Sequence, residues 1–165
     1  MKIGRIAAWI AVTLAGCLAY RAAAADMKAV LPENEMSQQT LKAYFEQAAM
    51  TAEIDSDGDL KITEDGFKGF LLVDAERKIV TIFALYGMKA SAPEIQKLQL
   101  VNRLNDKIIL VRFCMPNPTT LWCDYQLSYE GGLTPYYLIN TYRMFSRVTR
   151  QAVAQQDTDD VVGSD

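Results

Sequence analysis

The chain has 165 residues with 17 basic and 20 acidic side chains, a formal charge of −3, and three cysteines but no histidine. Near-neutral charge without a long basic patch argues against nucleic acid or anionic lipid as a general partner. The missing histidine excludes Ser-His-Asp and Cys-His catalysis and every His-ligated metal site.

Residues 1–25 read as a signal peptide. Lys2 and Arg5 precede an apolar run, Ile6 to Tyr20, and Ala23-Ala24-Ala25 offers a small-x-small cleavage site before Asp26. Leu14-Ala15-Gly16-Cys17 also fits a lipobox, with the signal ending at 16 and Cys17 lipidated, although Leu18-Ala19-Tyr20 is a poor polar tether. As an uncleaved span, the run falls short of the ~20 residues a membrane helix needs. The expected location is therefore periplasmic or secreted, with membrane contact only through the signal or a lipid on Cys17. About 140 residues remain, enough for one domain with a real core.

Residues 26–36 form a polar lead containing Pro32. From Ser37 the spacing of Leu41, Tyr44, Phe45 and Ala48 predicts an amphipathic helix over Gln38 to Met50. The run Glu53 to Glu64 then nearly matches an EF-hand loop, with Asp55, Asp57, Asp59 and Glu64 as candidate calcium ligands and Gly58 at the sharp turn. Two features oppose it: Glu53 replaces the usual first aspartate, and Asp65-Gly66-Phe67-Lys68-Gly69 does not begin a helix. The competing reading is a β-hairpin, Ala52 to Asp55 and Leu60 to Thr63, turning through Asp-Gly.

Phe67 to Val73 and Lys78 to Leu85 form a second hairpin across an acidic turn. Ser91-x-x-Glu94 resembles a capping box, opening a helix from Ala92 to Asn105 with Ile95, Leu98, Val101 and Leu104 toward the core. Asn102 and Asn105 are placed to fix the exit of that helix by side-chain to backbone hydrogen bonds. Ile108 to Cys114 is apolar except at Arg112 and predicts a central strand covered on both faces. Its partner alternates, with Leu121, Cys123, Tyr125, Leu127 and Tyr129 on one face and Trp122, Asp124, Gln126 and Ser128 on the other. Thr134-Pro135 starts a last helix. Leu138, Tyr142, Phe145 and Thr149 run down one of its faces; Arg143, Arg147 and Arg150 form a solvated row on another. The acidic segment 155–165 is expected to be disordered.

The predicted order is α-β-β-β-β-α-β-β-α, an α+β fold with one antiparallel sheet and three helices. Four features resemble the YbjN family of bacterial domains: the Asp-rich turn Asp55 to Asp59, Asn102-x-x-Asn105, Asp124 in the last strand, and Gly131-Gly132 before the final helix. The resemblance covers roughly 37–154 and implies a fold like that of type III secretion chaperones. It further implies a small non-enzymatic domain linked to regulation and stress response, with no catalytic residue to carry over. An export signal departs from the cytoplasmic members.

These readings point to an exported binding or accessory module, without a cofactor, whose partner is a polypeptide or a second copy. Trp122, Asp124 and Gln126 are the candidate partner-binding residues. Trp122 is its anchor unless the lead or the tail of the chain covers it. Calcium binding is the alternative, and carboxylate pairing by Asp124 and Glu130 or the Asp55 cluster is the enzymatic one. Cys114 and Cys123 flank a tight hairpin, which favours a disulfide in an exported protein, whereas strand parity sends them to opposite faces.

Overall fold

The computed structural model describes residues 26–163; the signal segment, Cys17 and the last two residues lie outside them. Helix α1 (Gln38–Gln47) starts where Ser37 Oγ accepts the Thr40 N–H at 3.2 Å, and it buries Leu41 and Phe45. It stops short of Met50 because Ala49 turns left-handed, φ 64°, and the Met50 N–H closes onto Phe45 O at 3.1 Å.

Four strands follow: β1 (Thr51–Ile54), β2 (Leu60–Glu64), β3 (Phe67–Asp74) and β4 (Ile79–Gly87). Their turns are built from the residue types the sequence displays. Asp55 Oδ1 accepts the Asp57 and Asp59 N–H groups, both at 3.0 Å. Asp65-Gly66 supplies two positive φ values for a two-residue hairpin loop, and Asp74 Oδ1 accepts the Glu76 and Arg77 N–H groups. Helix α2 (Glu94–Lys107) then leads to β5 (Arg112–Asn117), β6 (Thr120–Ser128) and α3 (Pro135–Gln156), which Thr134 caps at Tyr137 N. The sheet is antiparallel throughout in the order β1-β2-β3-β4-β6-β5. The expected element order is therefore present, with three helices and six strands.

Several local expectations are corrected. The interior position belongs to β6, which pairs with β4 and β5, while β5 is an edge strand beginning only at Arg112. Ile108 to Val111 is irregular, leaving Ile109 97% and Leu110 56% exposed. The cause is that α2 continues to Lys107, and Asn105 takes both backbone groups of Phe113: its Nδ2 donates to Phe113 O at 2.8 Å and its Oδ1 accepts the Phe113 N–H at 3.0 Å. The predicted role of Asn105 is met, and it extends to pinning the edge strand. Helix α2 begins at Glu94 behind Pro93 as N-cap, two residues later than expected, and it buries Lys97, Leu100 and Leu104 while Ile95 and Leu98 are exposed. Lys97 lays its stem in the core and gives its ammonium to Pro118 O at 2.7 Å, so a charged residue occupies a core-facing position.

The acidic tail is folded as far as Gly163. Asp157 accepts the Val161 and Val162 N–H groups, Arg103 holds Asp159, and Lys89 holds Asp160. Val161 is fully buried, and Gly163 N–H donates to Gly87 O at 2.9 Å. Composition alone suggested disorder because it ignores two valines and two waiting cations. The lead also docks, Leu31 pairing with Leu133. Gly132 makes this possible, since a Cβ there would meet Leu31 O at 2.5 Å.

The helices pack on the face carrying Ile62, Leu71, Val80, Ile82, Ala84 and Cys123. Tyr142 of α3 lies directly on the sheet, its hydroxyl donating to Ile62 O at 2.8 Å above Gly69.

Candidate functional site

Side chains alternate across a strand, so the residues between those core positions face away from the helices. Register then aligns one row across all six strands: Glu53, Lys61, Phe70, Phe83, Asp124 and Arg112 are successive directly opposed partners. Phe70 and Phe83 stack at 5.1 Å, and Phe83 stacks on Trp122 at 4.4 Å with the rings 7° from parallel. Leu72 and Leu85 flank this strip, each close to half exposed.

At one end the Asp124 carboxylate is buried, its side chain 4% exposed, beneath an Arg112 side chain that is 65% exposed. Arg112 Nε donates to Oδ1 at 3.0 Å and Nη2 to Oδ2, while Trp122 Nε1 donates to Oδ2 at 2.8 Å. The carboxylate thus sets the plane of the indole, and its bonds and charge push the already high pKa of Arg112 higher. At the other end Lys61 Nζ meets Glu53 at 2.7 Å; their hydrogen bond lowers the pKa of Glu53 and raises that of Lys61. The arrangement is an aromatic strip between two ion pairs, a surface suited to docking.

The structure brings Trp122, Asp124 and Gln126 onto this face as the alternation of β6 predicted, in distinct roles. Trp122 is half-buried by its stack; among the described residues the lead pairs at Leu133 and the tail near Met88. Asp124 is internal support, and Gln126 is exposed beside a cleft. Phe70, Phe83, Leu72, Leu85 and Arg112 were missed. Strands β3 and β4 are apolar on both faces, which hides their period; Phe70 and Phe83 at matched parity in a predicted hairpin were the available signal.

The calcium reading is not supported by the geometry. Asp55 spends an oxygen on its own turn, and Glu64 points to the helical side, where Arg143 binds it at 2.8 and 3.0 Å. Burial first, then the charges of Asp55 and Asp57, raise the pKa of Asp59. Among the described residues no three such side chains could hold a metal ion. Asp124 lies within β6 and is engaged by Arg112 and Trp122, whereas Glu130 lies beyond the end of that strand, in the turn that follows Ser128. Of the arginine row, Arg143 is engaged by Glu64.

The cysteines follow parity. Phe113 opposes Cys123 and Cys114 opposes Trp122, so the two thiols lie on opposite faces and both are free. Cys123 is buried with its thiol on Ala84 O at 3.4 Å, and burial pushes its pKa far up. In a chain beginning at Asp26, thiol titration should find two free groups on denaturation; in the native state Cys123 should stay unreactive until the core opens. A single denatured thiol pair lost to a disulfide contradicts this. In that same chain Trp122 is the only tryptophan. Asp124→Ala should cost about 2 kcal/mol in urea titration and shift indole emission to the red; unchanged emission would detach the carboxylate from the indole.

The family model described as "Putative bacterial sensory transduction regulator", YbjN, matches residues 37–155. No curated protein matches the chain. Among solved structures, YbjN from E. coli is similar with a TM-score of 0.62 at 16% identity, over 78% of this chain and 96% of that one. An uncharacterized protein from Methanothermobacter thermautotrophicus gives 0.52 at 12% identity, over 76% and 99%. The Yersinia pestis type III secretion chaperone SycH, in complex with a fragment of YscM2, gives 0.48 at 17% identity, over 72% and 98%. With a family model spanning most of its length and the corresponding element order in its sheet and helices, the chain belongs to the YbjN family.

Proposed function

We propose that this chain is an exported, non-enzymatic accessory domain that presents the bare face of its sheet to a polypeptide partner, in a regulatory setting of the kind the family description names. The observation that carries the reading is the strip of Phe70, Phe83 and Trp122 with Leu72 and Leu85 beside it, on the face opposite the helices. Phe83 is itself buried, 6% exposed, between the rings of Phe70 and Trp122, so the accessible surface is carried by those two partly exposed rings with Leu72 and Leu85. An apolar patch with a fixed tryptophan and a rim of ion pairs matches how protein interfaces concentrate their energy. The polar groups of the face support a binding role over a chemical one: Asp124 is engaged by Arg112 and Trp122, and Glu53 by Lys61.

Export rests on Lys2, Arg5, the apolar run and Ala23-Ala24-Ala25. Mass spectrometry of the natural protein should find a chain starting at Asp26, or at an acylated Cys17; an intact Met1 in a soluble cytoplasmic pool sinks the export half of the proposal. For the binding half, Leu72→Glu with Leu85→Glu places two charges on the strip at positions that are already solvent-accessible. The variant should keep its thermal midpoint to within a few degrees and lose, by about tenfold or more, the polypeptides that photo-crosslinking in the cell envelope joins to the parent. Undiminished crosslinking with the fold intact overturns it.

A further inference from the structure

Strand β4 pairs with β6 as far as Ser128, whereas β5 pairs with it only from Asp124 back to Thr120. Among the described residues the outer edge of β6 from Tyr125 to Ser128 therefore has no strand beside it. Which peptide groups point outward follows from the ladder. Tyr129 N–H donates to Lys78 O at 2.8 Å and Met88 N–H to Thr119 O at 2.8 Å, so the odd-numbered residues of β6 exchange hydrogen bonds with the β4 side. Antiparallel ladders alternate, so the N–H and C=O of Gln126 and Ser128 face outward. Sheets normally shield such an edge, because unpaired backbone groups recruit another chain.

Here the shielding is withheld by construction. Asn105 fixes the backbone of Phe113, and Ile108 to Val111 departs from the line β5 would have continued. Between that segment and β6 lies a cleft of about 540 Å³, lined by Ile108 to Arg112 on one side and Asp124 to Gln126 on the other. Ile109 and Leu110 stand exposed at its wall.

We propose that the Tyr125–Ser128 edge of β6 receives an extended segment of the partner polypeptide as an added strand. This rests on the polypeptide-partner reading and adds a mode to it, since Asp124 and Gln126 belong to both the cleft and the bare face. The occupant is a polypeptide because the outward groups of Gln126 and Ser128 repeat at two-residue spacing, ~6.8 Å, which only another extended backbone matches donor to acceptor. Register dictates its pattern: apolar side chains beside Tyr125 and Leu127, polar ones beside Gln126 and Arg112.

The probe is a blocked nonapeptide of alternating valine and threonine, added to the isotope-labelled protein while amide exchange is followed by NMR. The free protein should exchange the Gln126 and Ser128 amides quickly, and millimolar peptide should slow both by about tenfold or more. The same peptide N-methylated at every amide should slow neither. Gln126→Pro, which removes one outward donor, should abolish protection at Ser128, whereas Leu72→Glu with Leu85→Glu should leave it intact. That last variant separates the edge from the face: losing envelope crosslinks without losing edge protection upholds both proposals as distinct sites. Three results overturn the edge proposal: no slowing at millimolar peptide, equal slowing by the methylated peptide, or protection in the free protein that grows with its concentration, which assigns the edge to a second copy.

Discussion

The seat of Tyr142 on Gly69 is the contact on which the layered structure depends. A Cβ at Gly69 would stand 2.8 Å from the Tyr142 ring, closer than packed side chains tolerate, so only glycine lets α3 lie this near the sheet. The same ring meets Phe45 of α1 edge-on at 5.7 Å and Phe67 of β3 at 6.1 Å, gathering two helices and the sheet around one phenol. Burial pushes the pKa of that phenol up and keeps it a donor to Ile62 O. With the apolar stripes of α1 and α3 committed to this side, the opposite face must organise itself.

It does so through one buried carboxylate. Removing Asp124 from water is costly, and such a charge persists only when paired and hydrogen-bonded. The Arg112 fork and the Trp122 indole meet that requirement. In return the indole is held flat against Phe83, which lowers the rotational freedom it has left to lose on meeting a partner. Ion pair and aromatic stack therefore act as one unit, and the exposed guanidinium is its solvent-facing lid.

Much of this was legible in local chemistry. Ser37 and Thr134 as caps, Asp-Gly and Asp74 as turn formers, and the alternation of β6 each fix conformation within a few residues, so the sequence displays them directly. What was not legible depended on long-range competition. Ile108 to Val111 looks like a central strand by hydrophobicity, yet a single asparagine three residues upstream decides where β5 begins. Lys97 hides the buried stripe of α2, and the acidic tail docks because Arg103 and Lys89, far away in sequence, are placed to receive it. The binding strip was half visible: Trp122, Asp124 and Gln126 share a strand, whereas Phe70 and Phe83 join them only through register across three strands.

The row from Glu53 to Arg112 also works as a ruler. Five strand spacings separate its two charged ends, ~24 Å at the usual inter-strand distance, with the aromatic strip between them. A helix laid across the strands would need about four and a half turns to touch both posts, and an extended segment about seven residues. A partner segment much shorter than that can engage the aromatics and only one post, so the sheet's width discriminates among ligands by reach before any side chain is read.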